Sequence, residues 1–146
     1  MKARTRARGV ALQALYEIDM ANHPVGVVLE NRLEEDTLND ELQEFIRQIV
    51  AGVVPIREEL DLVIEKYAPE WPLEQIATVD RNIMRIAVWE IAVRGDSPLK
   101  VIINEAVELA KLYGSDSAPR FINGVLGSLA DHQNEVTQAI ISHKKV

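Results

Sequence analysis

Between residues 83 and 93 only Arg85 and Glu90 are polar. A surface helix keeps its apolar residues in one stripe, whereas here they point in every direction around a 3.6-residue period. Residues 78–94 contain no Gly or Pro, so the stretch predicts a helix wrapped on all sides by others. The apolar run is too short to span a bilayer, which takes about 20 residues.

Elsewhere the apolar positions fall on single faces. Ala7, Val10, Ala11, Ala14, Leu15 and Ile18 mark a first helix, with Arg8, Leu12 and Tyr16 as a row beside the buried stripe. Val27, Val28 and Leu33 mark a shorter second helix after Pro24. Leu42, Phe45, Ile46, Ile49, Val50 and Val53 define a third, capped by Thr37 or Asn39. Pro55 is expected to kink it, because Ile56, Leu60, Val63, Ile64 and Tyr67 continue the period. The segment 68–72 closes it, and a short turn at 73–76 leads into the central helix.

Gly95 reads as a C′ residue, Ser97 as the next N-cap and Pro98 as N1. Leu99, Ile102, Ile103, Ala106, Leu109, Ala110 and Tyr113 then share a face, and Gly114 ends that helix. Phe121, Ile122, Val125, Leu126 and Leu129 make the last core helix, and beyond Asp131 the pattern weakens into an expected frayed tail, 133–146. No alternating strand pattern occurs. The expected fold is all-α, about seven helices in one domain, without repeats.

Composition adds bounds. The chain has 146 residues, 47% hydrophobic and 27% charged, as in one ordinary globular domain. It has no Cys, which excludes disulfides and thiolate metal sites. There is no secretory h-region and no long apolar run, so a membrane role is not expected and cytoplasm is the expected location. Net charge is −7, yet residues 1–16 carry +4 and the remainder −11, an asymmetry that points to an anionic partner at one end.

Enzymatic signatures are missing: there is no phosphate loop, nucleophile elbow or HExxH. His23, His132 and His143 are scattered, so no metal site and no cofactor are expected. Glu105 and Glu108 lie i, i+3 on the expected solvent side, a poor place for an acid–base pair. The acidic interval 30–44 reads as a solvated junction. Arg4, Arg6 and Arg8 are the first candidate site, since guanidinium forks pair with phosphates and first-turn cations oppose the helix dipole unless an anion neutralises them. Gly124 and Gly127 suggest close helix approach, with Asn104 and Asn123 tying helices together. Phe121, beside Arg120, reads either as core or as a base-stacking platform.

These features resemble the NusB family of bacterial transcription antitermination factors. The resemblance rests on the Arg-rich start running into Ala11-Leu12-Gln13-Ala14-Leu15-Tyr16, on Arg85-Ile86-Ala87-Val88-Trp89-Glu90-Ile91, on segment 103–111, on Tyr113-Gly114 and on Phe121-Ile122-Asn123-Gly124-Val125-Leu126. It implies a non-enzymatic protein of two three-helix bundles, about 1–68 and 72–132, around the central helix. It implies binding to boxA-type single-stranded RNA of nascent ribosomal transcripts, with ribosomal protein NusE, inside an RNA polymerase antitermination complex with other Nus factors. Carried over to this chain, Lys2, Arg4, Arg6, Arg8, Gln13, Arg120 and Phe121 contact RNA, while Tyr16 and Asp80 face the protein partner. The basic run is interrupted by Ala3, Thr5 and Ala7, which predicts modest RNA affinity without the partner. Some family members self-associate by masking the RNA face, which leaves a homodimer open here. Two other readings stand beside this one: the RNA-binding domain of ribosomal RNA cytosine methyltransferases, and a helical interaction module that ignores RNA. Against the first, those domains tend to have Ala where Gly124 stands, and no Gly-rich cofactor loop is found.

Overall fold

A computed structural model describes residues 2–35 and 37–144, with side chains as far as residue 142. Among the described residues there are eight α-helices and no strand: α1 (Ala3–Ala21), α2 (Val25–Glu35), α3 (Asp40–Val53), α4 (Arg57–Tyr67), α5 (Thr78–Trp89), α6 (Leu99–Tyr113), α7 (Ala118–Ala130) and α8 (Gln133–Lys144). No helix among them is long and apolar enough to cross a membrane.

The all-round apolar helix is the hub. α5 packs against α1, α3, α4, α6 and α7, and its residues from Asn82 to Trp89 are all buried. It runs on into a wider π-type turn, Glu90–Arg94, which Gly95 closes in the left-handed region (φ 66°) with its N–H donating to the Glu90 carbonyl. A residue with a Cβ would be strained there. A buried arginine ties the hub to its surroundings. Arg85 of α5 places its fork on Asp61 of α4 (Nε–Oδ1 and Nη2–Oδ2 both 2.7 Å) and its third nitrogen on Asp19 of α1 (2.7 Å). Asn82 and Arg57 also donate to Asp19. Burial alone would raise the Asp19 pKa, but these donors together hold it below its ordinary value.

Local punctuation largely behaves as the sequence predicts. Asn39 caps α3 by accepting from the Leu42 N–H (2.9 Å), and Pro55 interrupts α3 and α4 with a 3₁₀ turn, Val54–Ile56. Ser97 does not cap α6; Pro98 takes that position, its carbonyl accepting from Val101 and Ile102.

Other expectations give way to packing. The tail is not frayed over its length: 133–144 form α8, which seats Val136 and Ile140 in the core against α4 and the π-type turn. Of the expected fraying segment, the His143 and Lys144 side chains and all of Lys145 and Val146 lie outside the described residues. α4 packs on α5, α7 and α8. Val27, expected in the core, is exposed, as α2 buries only Val28 and Leu33.

The glycines reverse their expected roles. A Cβ on Gly124 or Gly127 would meet nothing within 4 Å, so neither serves close approach, and Asn104 and Asn123 are both exposed. Gly52 of α3 is the close-approach residue: a Cβ there would overlap the Trp89 indole of α5.

Candidate nucleic-acid and partner interface

The start of α1 is cationic. Its first turn holds no acid, and Lys2, Arg4 and Arg6 are exposed. Alternate residues of this turn point inward. Thr5 is buried and donates its hydroxyl to Glu105 (2.8 Å). Arg8, expected at the RNA edge, is 2% exposed. Its fork lies on Glu90 (Nε–Oε2 3.0 Å, Nη2–Oε1 2.7 Å), and its Nη1 is 3.5 Å from Glu105. A guanidinium so enclosed offers nothing to a passing phosphate; it anchors the helix that carries the other three cations. The same contacts take Glu105 off the solvent face, where it was expected beside Glu108.

Arg4 and Arg8 both stack on the ring of Phe45, at 4.7 and 5.1 Å from its centroid. Arg94, at the end of the π-type turn, stacks on the same ring at 4.5 Å. Arg4 and Arg8 are one turn apart on α1, but only the fold brings Arg94 to them from the far end of the hub.

Along α1 the surface turns apolar. Tyr16 is 40% exposed and, with Leu12, Gln13, Arg32, Val79 and Tyr113, borders a hollow of about 180 Å³. Gln13 donates to the Tyr113 hydroxyl (3.5 Å) and accepts from Arg32 (3.3 Å), so it is a positioned group at this rim rather than a free one. Tyr113 was expected in the core, yet its ring lies outside, over Gly9.

Next to Tyr113, Gly114 abuts the carboxylate of Asp80, and here a larger hollow of about 420 Å³ opens. Trp71, Ile76, Asp80, Ser117, Arg120 and Phe121 are among its walls. Trp71 and Phe121 meet edge to face (centroids 5.8 Å apart, planes at 70°), with Trp71 51% exposed. Asp80, expected to face the protein partner, is only 7% exposed, and its Oδ1 has no hydrogen-bond partner among the described residues. Burial raises its pKa, because the carboxylate loses hydration.

The expected site residues fall into three groups: Lys2, Arg4 and Arg6 exposed at the start of α1, Gln13 and Tyr16 at the smaller hollow with Tyr113, and Asp80, Arg120 and Phe121 at the larger one, while Arg8 is buried. Asp80, expected on the protein-partner face, and Phe121, expected on RNA, border the same hollow. Sequence reading missed Trp71, Tyr113 and Arg94. An aromatic between two prolines, at 69 and 72, was the available signal for Trp71; Arg94 gave none. Among the described residues no group of three His, Asp or Glu side chains is placed to hold a metal ion.

Comparison with known proteins agrees with this architecture. The family model described as the NusB family matches residues 5–131. The chain is 47% identical over 134 residues to the transcription antitermination protein NusB of Roseiflexus castenholzii, covering 90% of this chain and 94% of that one. Its fold is similar to that of T. maritima NusB (TM-score 0.81, 30% identity, 90% and 96% of the two chains). It is similar also to a chain in a crystal structure of the antitermination factors NusB and NusE with double-stranded RNA (TM-score 0.81, 28% identity, 90% and 98%). A buried helical hub, a cationic α1 start and near full-length similarity thus lead to one assignment: this chain belongs to the NusB family, a non-enzymatic family of transcription antitermination proteins.

Proposed function

We propose that this protein holds boxA-type single-stranded RNA of nascent ribosomal transcripts together with NusE, within an RNA polymerase antitermination complex. The observation that carries the reading is the exposed trio Lys2, Arg4 and Arg6 on a helix start without a first-turn acid. Phosphates there would neutralise charges that otherwise oppose the α1 dipole. Arg120 and Phe121, at the start of α7, add a cation and an aromatic ring on which a base can stack. Gln13 offers a polar contact on α1. Tyr16 presents an exposed ring to NusE, and Asp80 offers an unpartnered carboxylate to any donor that enters the hollow. The related structure that contains NusB, NusE and RNA together supports this pairing of ligands.

Titration of labelled boxA-like RNA, with and without NusE, tests the reading. RNA alone is expected to bind weakly, and more tightly once NusE is present. If Lys2, Arg4, Arg6 and Arg120 neutralise four phosphates, the salt slope is about −3, or roughly 50-fold between 50 and 200 mM. An RNA affinity that ignores both salt and NusE would sink it. Sedimentation in the same buffers reads whether a second copy competes for the RNA face.

A further inference from the structure

Among the described residues three arginines donate Nε to a carboxylate, and one of them leaves the Nε–Nη2 edge half filled. Arg8 fills that edge with both oxygens of Glu90, and Arg85 fills it with both of Asp61. Arg94 binds Asp96 through Nε alone (2.8 Å), and its Nη1 donates to Gln48 (3.1 Å). Its Nη2 meets no acceptor among the described residues. Arg8 and Arg85 lie in the core, whereas Asp96 is half exposed, on a loop just past the π-type turn. Arg94 shares the Phe45 ring with the paired Arg8 and with Arg4, whose guanidinium has no carboxylate within ion-pair distance among the described residues. Asp96 feels both cations: the hydrogen bond from Arg94 lowers its pKa most, and the charge of Arg4 adds to this.

From this arrangement we infer that Arg94 and Arg4, held on Phe45, form a phosphate site for the bound RNA, and that Asp96 occupies part of it in the free protein. A phosphodiester offers two oxygens to the Nε–Nη2 edge of Arg94 where Asp96 offers one. Its arrival releases Asp96 to water and relieves the repulsion between cations gathered on one ring. The inference rests on the RNA-binding reading above and adds to it a residue from the middle of the chain and an internal competitor.

The test is a double-mutant cycle on the full chain, read as affinity for labelled boxA-like RNA at fixed salt. Arg94→Ala should weaken binding by about tenfold, the usual scale for charge-assisted hydrogen bonds. Asp96→Asn should tighten it several-fold, and should do nothing once Arg94 is Ala. Arg94→Lys should recover only part of the loss, because a point charge cannot use the bidentate edge. Equal tightening by Asp96→Asn with and without Arg94 would reduce the effect to net charge and overturn the proposal. So would an Arg94 Nε–H resonance that moves with inorganic phosphate but not with RNA. If wild-type protein binds no RNA at all, the general reading fails; if it binds and only the Arg94 arms are silent, this inference alone fails. Unchanged thermal melts of the Asp96 and Arg94 variants would show that the affinities report binding rather than folding.

Discussion

Replacing Arg8 by Ala should damage folding and spare RNA binding, the reverse of what its place in the basic run implies. In the folded protein Arg8 and Glu90 are each 3% exposed at the side chain and joined by two hydrogen bonds, 2.7 and 3.0 Å. Truncating Arg8 leaves the Glu90 carboxylate in the core without its counter-charge. Breaking a buried pair in this way costs about 3–5 kcal/mol, a large share of the roughly 5–15 kcal/mol that holds a domain together. For a chain of this size each kcal/mol moves Tm by about 2–4 °C, so the melt should fall by roughly 6–20 °C. Replacing both partners with Met removes both charges and should recover most of that loss. Calorimetric melts of the single and double variants measure it. RNA binding, read well below the lowered Tm, should keep its salt slope, because the Arg8 guanidinium is buried on Glu90. Ala at Arg4 or Arg6 should instead lower the slope by about 0.7 each, with little effect on the melt. An Arg8→Ala protein with an unchanged Tm and a flatter slope would put Arg8 back at the RNA edge.

The glycines give a pair of opposite signs: Gly52→Ala should destabilise by about 1–3 kcal/mol through overlap with Trp89, while Gly124→Ala, whose Cβ meets open space, should stabilise by up to about 1 kcal/mol. Parallel urea melts compare them, and a costly Gly124→Ala would mean that its face is not open. Asp80→Asn should raise Tm slightly and weaken NusE capture; because burial raises its folded pKa, wild type should regain the difference as pH falls through that pKa towards 3.8. Matching pH–Tm curves for the two proteins would remove the buried-charge explanation. Asp19 has the opposite sign: its donors hold its folded pKa below 3.8, so the stability it contributes is present above that pH and is lost as pH falls through the folded value. Asp19→Asn should therefore flatten the acid limb of the stability curve, which equilibrium unfolding between pH 5 and about 2 would reveal.

What could be read in the chain is what local rules govern. An apolar surface all around 78–94 has no stable arrangement except enclosure, so the hub follows from the pattern alone. Asn39, Pro55 and Gly95 act within one turn of themselves, and their effects appear as expected. The uneven charge of the first sixteen residues likewise points to an anionic ligand without any coordinates.

Tertiary structure decided the rest, because burial of a polar group depends on a partner that sequence spacing does not reveal. Arg4, Arg6 and Arg8 look alike in the chain; only the return of Glu90, 82 positions away, selects Arg8 for the interior. Gly52 and Gly124 look alike until Trp89 is found against one and nothing against the other. The weak pattern after Asp131 becomes α8 because α4 and the π-type turn offer a seat for Val136 and Ile140. Asp80 belongs to a hollow, not a surface, since Trp71 and the start of α7 close around it. Periodicity states which residues must leave water; only the assembled helices state what they meet when they do.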